Sequence, residues 1–318
     1  MGAGPVSLTA ITLILIAALA HASWNLLSKQ ASDAGAACFV WLMSAAGLVL
    51  LLPAAAATAA DSPPRLPPLA WVFLAGTGVL HAGYFLLLQN GYRLGDLSAV
   101  YPVSRGSGAL LAAAGGIVLL GERPGAAGLA GIALIVAGIV AAGLPARDRT
   151  PVPVAPAGPA AGQPPAAAGA ARRPRAAGAV AFALLTGVFI ASYTLWDKYA
   201  VSALSVPPVM EECASVTGIS LILAPFALRD RPRRARLAAL WHGYRVQVLG
   251  AAVLSPVAYV LVLTAMRFTA VSAVAPAREV SVLFGVLLGG RLLREGSLPR
   301  RLAAAAAIAA GILALAAG

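Results

Sequence analysis

Ser98-Ala99-Val100-Tyr101-Pro102 and Ser272-Ala273-Val274-Ala275-Pro276 stand 174 residues apart, and each runs on into an arginine set in apolar surroundings. After a one-residue slip Arg105 falls on Arg278, and Leu120-Gly121-Glu122 falls on Leu293-Arg294-Glu295, both at a spacing of 173. Earlier in the chain, Ala22-Ser23-Trp24 with Lys29 matches Ala191-Ser192-Tyr193 with Lys198 at a spacing of 169. The second half therefore repeats the first, and the repeat includes charges that lipid tolerates poorly. Two sets of membrane helices with polar groups at matching depth are the pattern of a carrier whose site lies between the halves.

Composition fixes the solvent. The 318 residues are 60% hydrophobic and 11% charged, with a mean hydropathy of +0.87. Soluble domains carry about 25% charged residues, so the chain reads as a multi-pass membrane protein whose immediate partner is the lipid bilayer. The net charge of +12 does not point to nucleic acid. Most arginines sit in short connections beside apolar spans, where anionic headgroups and the positive-inside rule account for them. The two cysteines, Cys38 and Cys213, lie in apolar stretches and suggest neither a disulfide framework nor a metal site.

A crossing helix needs roughly 20 mostly apolar residues. Ten segments qualify: 7–27, 36–56, 69–90, 97–120 and 125–144, then 176–198, 207–228, 246–266, 270–291 and 300–317. The expected fold is an all-α integral membrane protein, with ten transmembrane helices in two inverted five-helix repeats. Inversion follows because an odd number of spans per repeat inserts the halves in opposite orientations. Ala18-Leu19-Ala20 resembles a signal-peptidase site, but no basic n-region precedes it, so the first segment reads as a retained helix.

The expected organisation is a first repeat over 1–144, a flexible Pro/Ala-rich linker over 145–175 and a second repeat over 176–318. The stretch 229–245, with Arg229, Arg231, Arg233, Arg234, Arg236 and Arg245 against Asp230, reads as a polar connection on the linker's side. Arginine counting puts that side in the cytoplasm and both termini outside, which suits a cell (inner) membrane protein.

Arg105 and Arg278 each come ninth in their segments, roughly 12 Å in from the end. Insertion there costs about 2.5–3.5 kcal/mol per arginine, so each should face a cavity or a partner. One reading is a salt bridge, for instance with Glu279, that holds helices together. The other is a cationic cavity for a carboxylate, phosphate or phosphonate, to which guanidinium donors are matched. Glu279 has Gly106 as its counterpart in the first repeat, and it is a candidate proton-exchanging coupling residue or a counter-ion. Pro102 and Pro276 precede the arginines and are candidate hinges, because an interior proline removes a helix hydrogen bond. His21, Trp24, His81, Tyr84, Tyr193 and Tyr259 are candidates for cavity lining. Lys29 and Lys198 are expected to snorkel to headgroups. Glu211 and Glu212 open a helix, where acidic side chains favour the N-terminus. Gly108, Ala112 and Gly116, like Ser281, Gly285 and Gly289, stand four apart and suit close helix contact.

No HExxH, GxSxG or Walker A motif occurs, so no enzymatic activity, cofactor or metal is expected and any pumping must use a gradient. His21-Ala22-Ser23-Trp24-Asn25 with Lys29, Tyr92-Arg93-Leu94-Gly95-Asp96-Leu97-Ser98 running into Tyr101-Pro102, and Leu120-Gly121-Glu122-Arg123 resemble the ten-helix EamA-type branch of the drug/metabolite transporter superfamily. So do Ala277-Arg278-Glu279 and Leu293-Arg294-Glu295. The resemblance implies a secondary carrier, an exporter of small metabolites by alternating access, with a cavity lined by helices 1, 3, 4, 6, 8 and 9. The expected partner is a small anionic or zwitterionic, amino-acid-like solute, with possible proton coupling, handled by a monomer or homodimer. The alternative class is an intramembrane enzyme or scaffold for lipid-linked substrates.

Overall fold

The computed structural model describes residues 6–30, 36–61, 66–94, 97–143, 172–281, 284 and 298–317. Among them the chain forms no strand; ten helices have described bounds, and 280–281 and 284 are helical besides. These are α1 (Leu8–Gln30), α2 (Ala36–Asp61), α3 (Pro68–Leu94), α4 (Leu97–Leu119) and α5 (Ala126–Gly143), then α6 (Arg172–Ser202), α7 (Pro208–Leu228), α8 (Arg231–Met266), α9 (Val271–Arg278) and α10 (Leu298–Ala317). Six of them, α1, α2, α3, α6, α7 and α8, carry apolar stretches long enough to cross a bilayer. Shorter apolar runs occupy α4, α5 and α10.

Helix pairing follows the duplication. α1 packs on α8 as α6 packs on α3, and α3 packs on α7 as α8 packs on α2. The pairs α2–α7, α4–α9 and α5–α10 each join an element to its own repeat counterpart. Exchanging the halves maps this pattern onto itself, as a pseudo-twofold between two inverted repeats requires.

Small residues set the closest crossings, because association in lipid relies on packing rather than on a hydrophobic drive. A Cβ added at Gly131 of α5 would lie 2.6 Å from the Gly311 carbonyl of α10, and one at Gly311 would lie 2.7 Å from the Gly131 carbonyl. On the opposite pair, a Cβ at Gly78 of α3 would meet the Gly218 Cα of α7 at 2.8 Å. Gly108 packs its backbone against Ile190 of α6. Gly285 and Gly289, the counterparts of Ala112 and Gly116, lie outside the described residues.

Two boundaries differ from the sequence reading. α6 reaches back to Arg172, four residues into the stretch expected as linker. The stretch 229–245 is not an open connection, since α8 already begins at Arg231 and breaks only at Tyr244 (φ −132°, ψ 25°). Its first turn has a start signal that the charge count hid. Asp230 Oδ1 accepts from Arg233 N at 2.9 Å, and Pro232 stands in the first turn, where a missing N–H costs nothing. Leu237 and Leu240, three apart, are buried while the arginines around them stay exposed or half-exposed.

Gly78→Val would force a branched side chain into the α3–α7 crossing, at an expected cost of about 1–3 kcal/mol. It should lower the melting temperature in detergent, whereas Gly243→Ala, with nothing within 4 Å of the added carbon, should not. Equal melting of the two variants would contradict the crossing.

Candidate functional site

The break in α9 builds the centre of the site. Pro276 has no N–H to bond the Ser272 carbonyl, and Glu279 N closes back on Pro276 O at 3.0 Å in a tightened last turn. Glu279 (φ −72°, ψ −2°) therefore caps α9 and interrupts the expected 270–291 span at one turn residue, with helical backbone again at 280–281. The turn leaves the Glu279 carboxylate 1% exposed and facing two cations. Arg105 Nη1 of α4 donates to Glu279 Oε1 at 3.2 Å, and Arg278 Nε donates to the same oxygen at 3.3 Å. Arg278 Nη2 also donates to Tyr193 OH at 3.0 Å, and its guanidinium lies 5.7 Å from the Tyr193 ring centre. Two guanidinium groups thus share one carboxylate oxygen at a buried position.

These groups open onto one cavity of about 80 Å³. His21 and Trp24 line it from α1, His81 and Tyr84 from α3, Arg105 from α4, Tyr193 from α6, Tyr259 from α8, and Arg278 with Glu279 from α9. The structure therefore brings together every residue singled out as cavity lining, as oxyanion ligand or as coupling group. Trp24 Nε1 donates to His21 Nδ1 at 3.1 Å, and Arg105 Nη2 contacts His21 Nε2. A neutral imidazole accepts at one nitrogen only, so His21 serves one of these donors at a time. The His81 ring stacks on Tyr193 at 4.1 Å between centres and meets Tyr259 edge-on at 5.3 Å. Pro102 lies within the unbroken helical backbone of α4, in contrast to the break after Pro276. Its side chain, like that of Lys29, lies outside the described residues.

Sequence reading passed over one acid and gave two others no place in the cavity. Asp197 of α6 is fully buried, with Tyr259 OH donating to Oδ2 at 2.5 Å and His81 Nε2 3.8 Å from the same oxygen. Glu211 and Glu212 do stand at the start of α7, but they are 0% and 5% exposed rather than set in an interface. Glu212 adds α7 to the cavity wall, a helix the resemblance did not include. The signal was available for Asp197, an ionisable residue within an apolar segment. It is obscured because the expected span ends at 198, whereas α6 runs on to Ser202. Lys198 does not snorkel. Its Nζ donates to Met266 O at 2.5 Å and Thr269 O at 2.9 Å, satisfying carbonyls at the end of α8.

Glu122 shows what the Leu-x-Glu motif does. Gly121 takes a left-handed conformation (φ 67°) after α4, a turn that glycine makes without strain. The turn aims Glu122 across the repeat boundary, where its two oxygens accept from Val271 N at 2.7 Å and Ser272 N at 2.8 Å. A carboxylate on the first amides of α9 satisfies donors the helix cannot use and opposes its dipole. Gly116 keeps the space open, since a Cβ there would lie 2.6 Å from Val271. Its counterpart Glu295 lies outside the described residues. Glu122→Ala should cost about 0.5–2 kcal/mol, read as a lower melting temperature in detergent, with Glu122→Gln intermediate. Wild-type stability of both would show that the cap contributes nothing.

No curated protein sequence matches the chain. A solved crystal structure, described only as that of a protein, is similar over 96% of this chain and 95% of its own, with a TM-score of 0.63 and 18% identity. That likeness shows the fold alone. The EamA-like transporter family matches residues 8–144 and again 177–317, one match to each repeat, so the chain belongs to the EamA-like transporter family and is a multi-pass membrane protein of that transporter type.

Proposed function

We propose that the protein is a secondary transporter that exports small anionic or zwitterionic, amino-acid-like metabolites across the cell's inner membrane by alternating access. One observation carries this reading: the two repeat-related arginines converge on a single carboxylate at the wall of a buried cavity. A salt bridge that served only to join helices would need one arginine. Two guanidinium groups gathered on one carboxylate cost more to bury than a simple pair, a cost that an incoming oxyanion offsets. In this reading Arg105 and Arg278 bind the substrate's carboxylate, phosphate or phosphonate, while His21, Trp24, His81, Tyr84, Tyr193 and Tyr259 shape the space around it.

Glu279 is the coupling residue. It is the resident anion of the arginine pair and also the residue that caps the broken end of α9. A substrate oxyanion competes with it for the guanidinium donors, so occupancy of the cavity bears on the helix break itself. Pro276, with Pro102 as its repeat partner, is the hinge in this scheme. Moving substrate from one face to the other requires the two repeats to exchange roles about their shared axis. The arginine-rich stretches 145–175 and 229–245 support a cytoplasmic placement of the linker.

A thermal-shift screen of amino acids, organic acids and phosphonates on the purified protein tests the reading, because a ligand that binds the folded state stabilises it by mass action. Arg278→Ala and Arg105→Ala should weaken oxyanion affinity by about tenfold to a hundredfold, the loss of a charge-assisted hydrogen bond. Arg278→Lys should retain part of it. Size-exclusion profiles separate this loss from misfolding. Wild-type affinity in both alanine variants would make the arginines structural and overturn the reading.

A further inference from the structure

α8 is longer than the apolar layer it crosses. Its 36 residues, at about 1.5 Å each, cover roughly 54 Å of helix, whereas the hydrocarbon core of a bilayer is about 30 Å thick. The exposed side chains mark where that core ends. Val246, Leu249, Val253 and Val257 follow one another at steps of three and four and are all exposed, as a lipid-facing stripe requires. On the neighbouring α7 the exposed apolar residues run as far as Phe226 and Leu228. Between Leu228 and Val246 the one large apolar side chain that stays exposed is Trp241, and an indole ring favours the headgroup level. The stretch 229–245 therefore lies where the acyl chains give way to phosphates.

At that level the first part of α8, up to the break at Tyr244, is a seated arm. Leu237 and Leu240 are buried in one packed cluster with Phe39 and Met43 of α2 and Ala227 of α7. The seating fixes which side of the arm is left open. Arg231, Arg234 and Trp241 stand three and seven residues apart, so they share one stripe, and all three are exposed. Arg236 is exposed on the other flank of the buried leucines. Asp230 is the only acid between Leu228 and Met266, and it is already engaged. Arg233 Nε lies 3.3 Å from its Oδ2, while Arg233 Nη1 donates to Phe226 O at 2.6 Å. Among the described residues Arg229, Arg231, Arg234, Arg236 and Arg245 form no ion pair. Guanidinium groups held in a fixed stripe beside the phosphate layer are matched to its oxyanions in charge and in donor geometry.

We propose that the arm at the start of α8 is a binding surface for the headgroups of anionic phospholipids, with Arg231, Arg234 and Arg236 donating to phosphate oxygens and Trp241 set at the edge of the acyl layer. This is a property of the folded protein. Positive-inside counting concerns the side on which a segment is kept during insertion, whereas a helix seated through Leu237 and Leu240 holds lipid after folding. It does not depend on what the cavity carries.

The test places the full chain in nanodiscs of phosphatidylcholine alone, or of phosphatidylcholine and phosphatidylglycerol in equal parts, and follows backbone amide hydrogen exchange. A ligand of the folded arm slows its opening in proportion to occupancy. Amides of 231–243 should exchange about tenfold more slowly in the anionic nanodiscs at low salt. The difference should shrink at about 0.5 M salt, where surface charges are screened. Each arginine removed should weaken headgroup binding by about fivefold. Arg231→Gln, Arg234→Gln and Arg236→Gln together should therefore lose most of the slowing. In phosphatidylcholine that variant should exchange like the wild type, since exposed side chains contribute little to folding. The three corresponding Arg→Lys changes keep the charge and should keep the slowing, so they carry the test if the glutamine variant misfolds. Arg172→Gln, Arg173→Gln and Arg175→Gln, beside the linker, should leave the slowing at the arm intact. Equal exchange of 231–243 in the two nanodiscs overturns the proposal and leaves the stripe to a soluble acidic partner. Undiminished slowing in the folded glutamine variant overturns it as well.

Discussion

The shared ion pair of Arg105 and Arg278 with Glu279 is the constraint around which the rest is arranged. Neither arginine has an escape to water at 3% and 9% exposure, so each must be paired inside the protein or not be inserted at all. The carboxylate that pairs them sits at the one-residue interruption after α9, where Glu279 N closes back on Pro276 O before helical backbone resumes at 280. The N-terminus of the same short helix is held by Glu122 from the other repeat. Thus the carboxylate of Glu122 holds the first end of α9, and the backbone N–H of Glu279 closes the other while its side chain belongs to the cavity.

Symmetry and its violations have separate roles. The symmetric features, α4 against α9 and the glycine crossings at Gly131–Gly311 and Gly78–Gly218, hold the two repeats in one scaffold. The asymmetric ones are charged: Glu279 where the first repeat has Gly106, and Asp197 where it has Ser28. A duplicated scaffold supplies the twofold motion a carrier needs, and departures from it make the cavity polar in one direction. Arginines gather at the α4–α9 side and buried acids at the α6–α7 side, with the His81–Tyr193 ring pair among the groups lining the wall.

Much of this was legible from residue spacing. Repeat-matched Arg105 and Arg278 predicted a common cavity because a duplicated chain brings equivalent depths together, and Trp24 and Tyr193 are repeat-matched as well, at a spacing of 169. What spacing could not supply was which side of a helix end faces inward. Lys198 and Asp197 are neighbours, yet one is turned to carbonyls of α8 and the other to the cavity's acid cluster. Glu211 and Glu212 match a helix N-terminus in any sequence, and only packing against α3 and α6 shows them to be buried. The Glu279 alternatives, proton carrier or counter-ion, differed by the position of two guanidinium groups that no linear pattern specifies. Arg231–Gly243 misled for a related reason, since its charge obscured the Leu237–Leu240 spacing that seats the helix.

A double-mutant cycle on Arg105→Gln and Glu279→Gln, read from equilibrium unfolding in mixed micelles, addresses the central interaction most directly. The account predicts that the single variants are each destabilised and that the double variant loses less than the two losses combined, with a coupling energy of about 1–3 kcal/mol. Additivity within about 0.5 kcal/mol would contradict it, since the arginine and the carboxylate would then be stabilised independently and the cavity would have no shared ion pair for a substrate to displace.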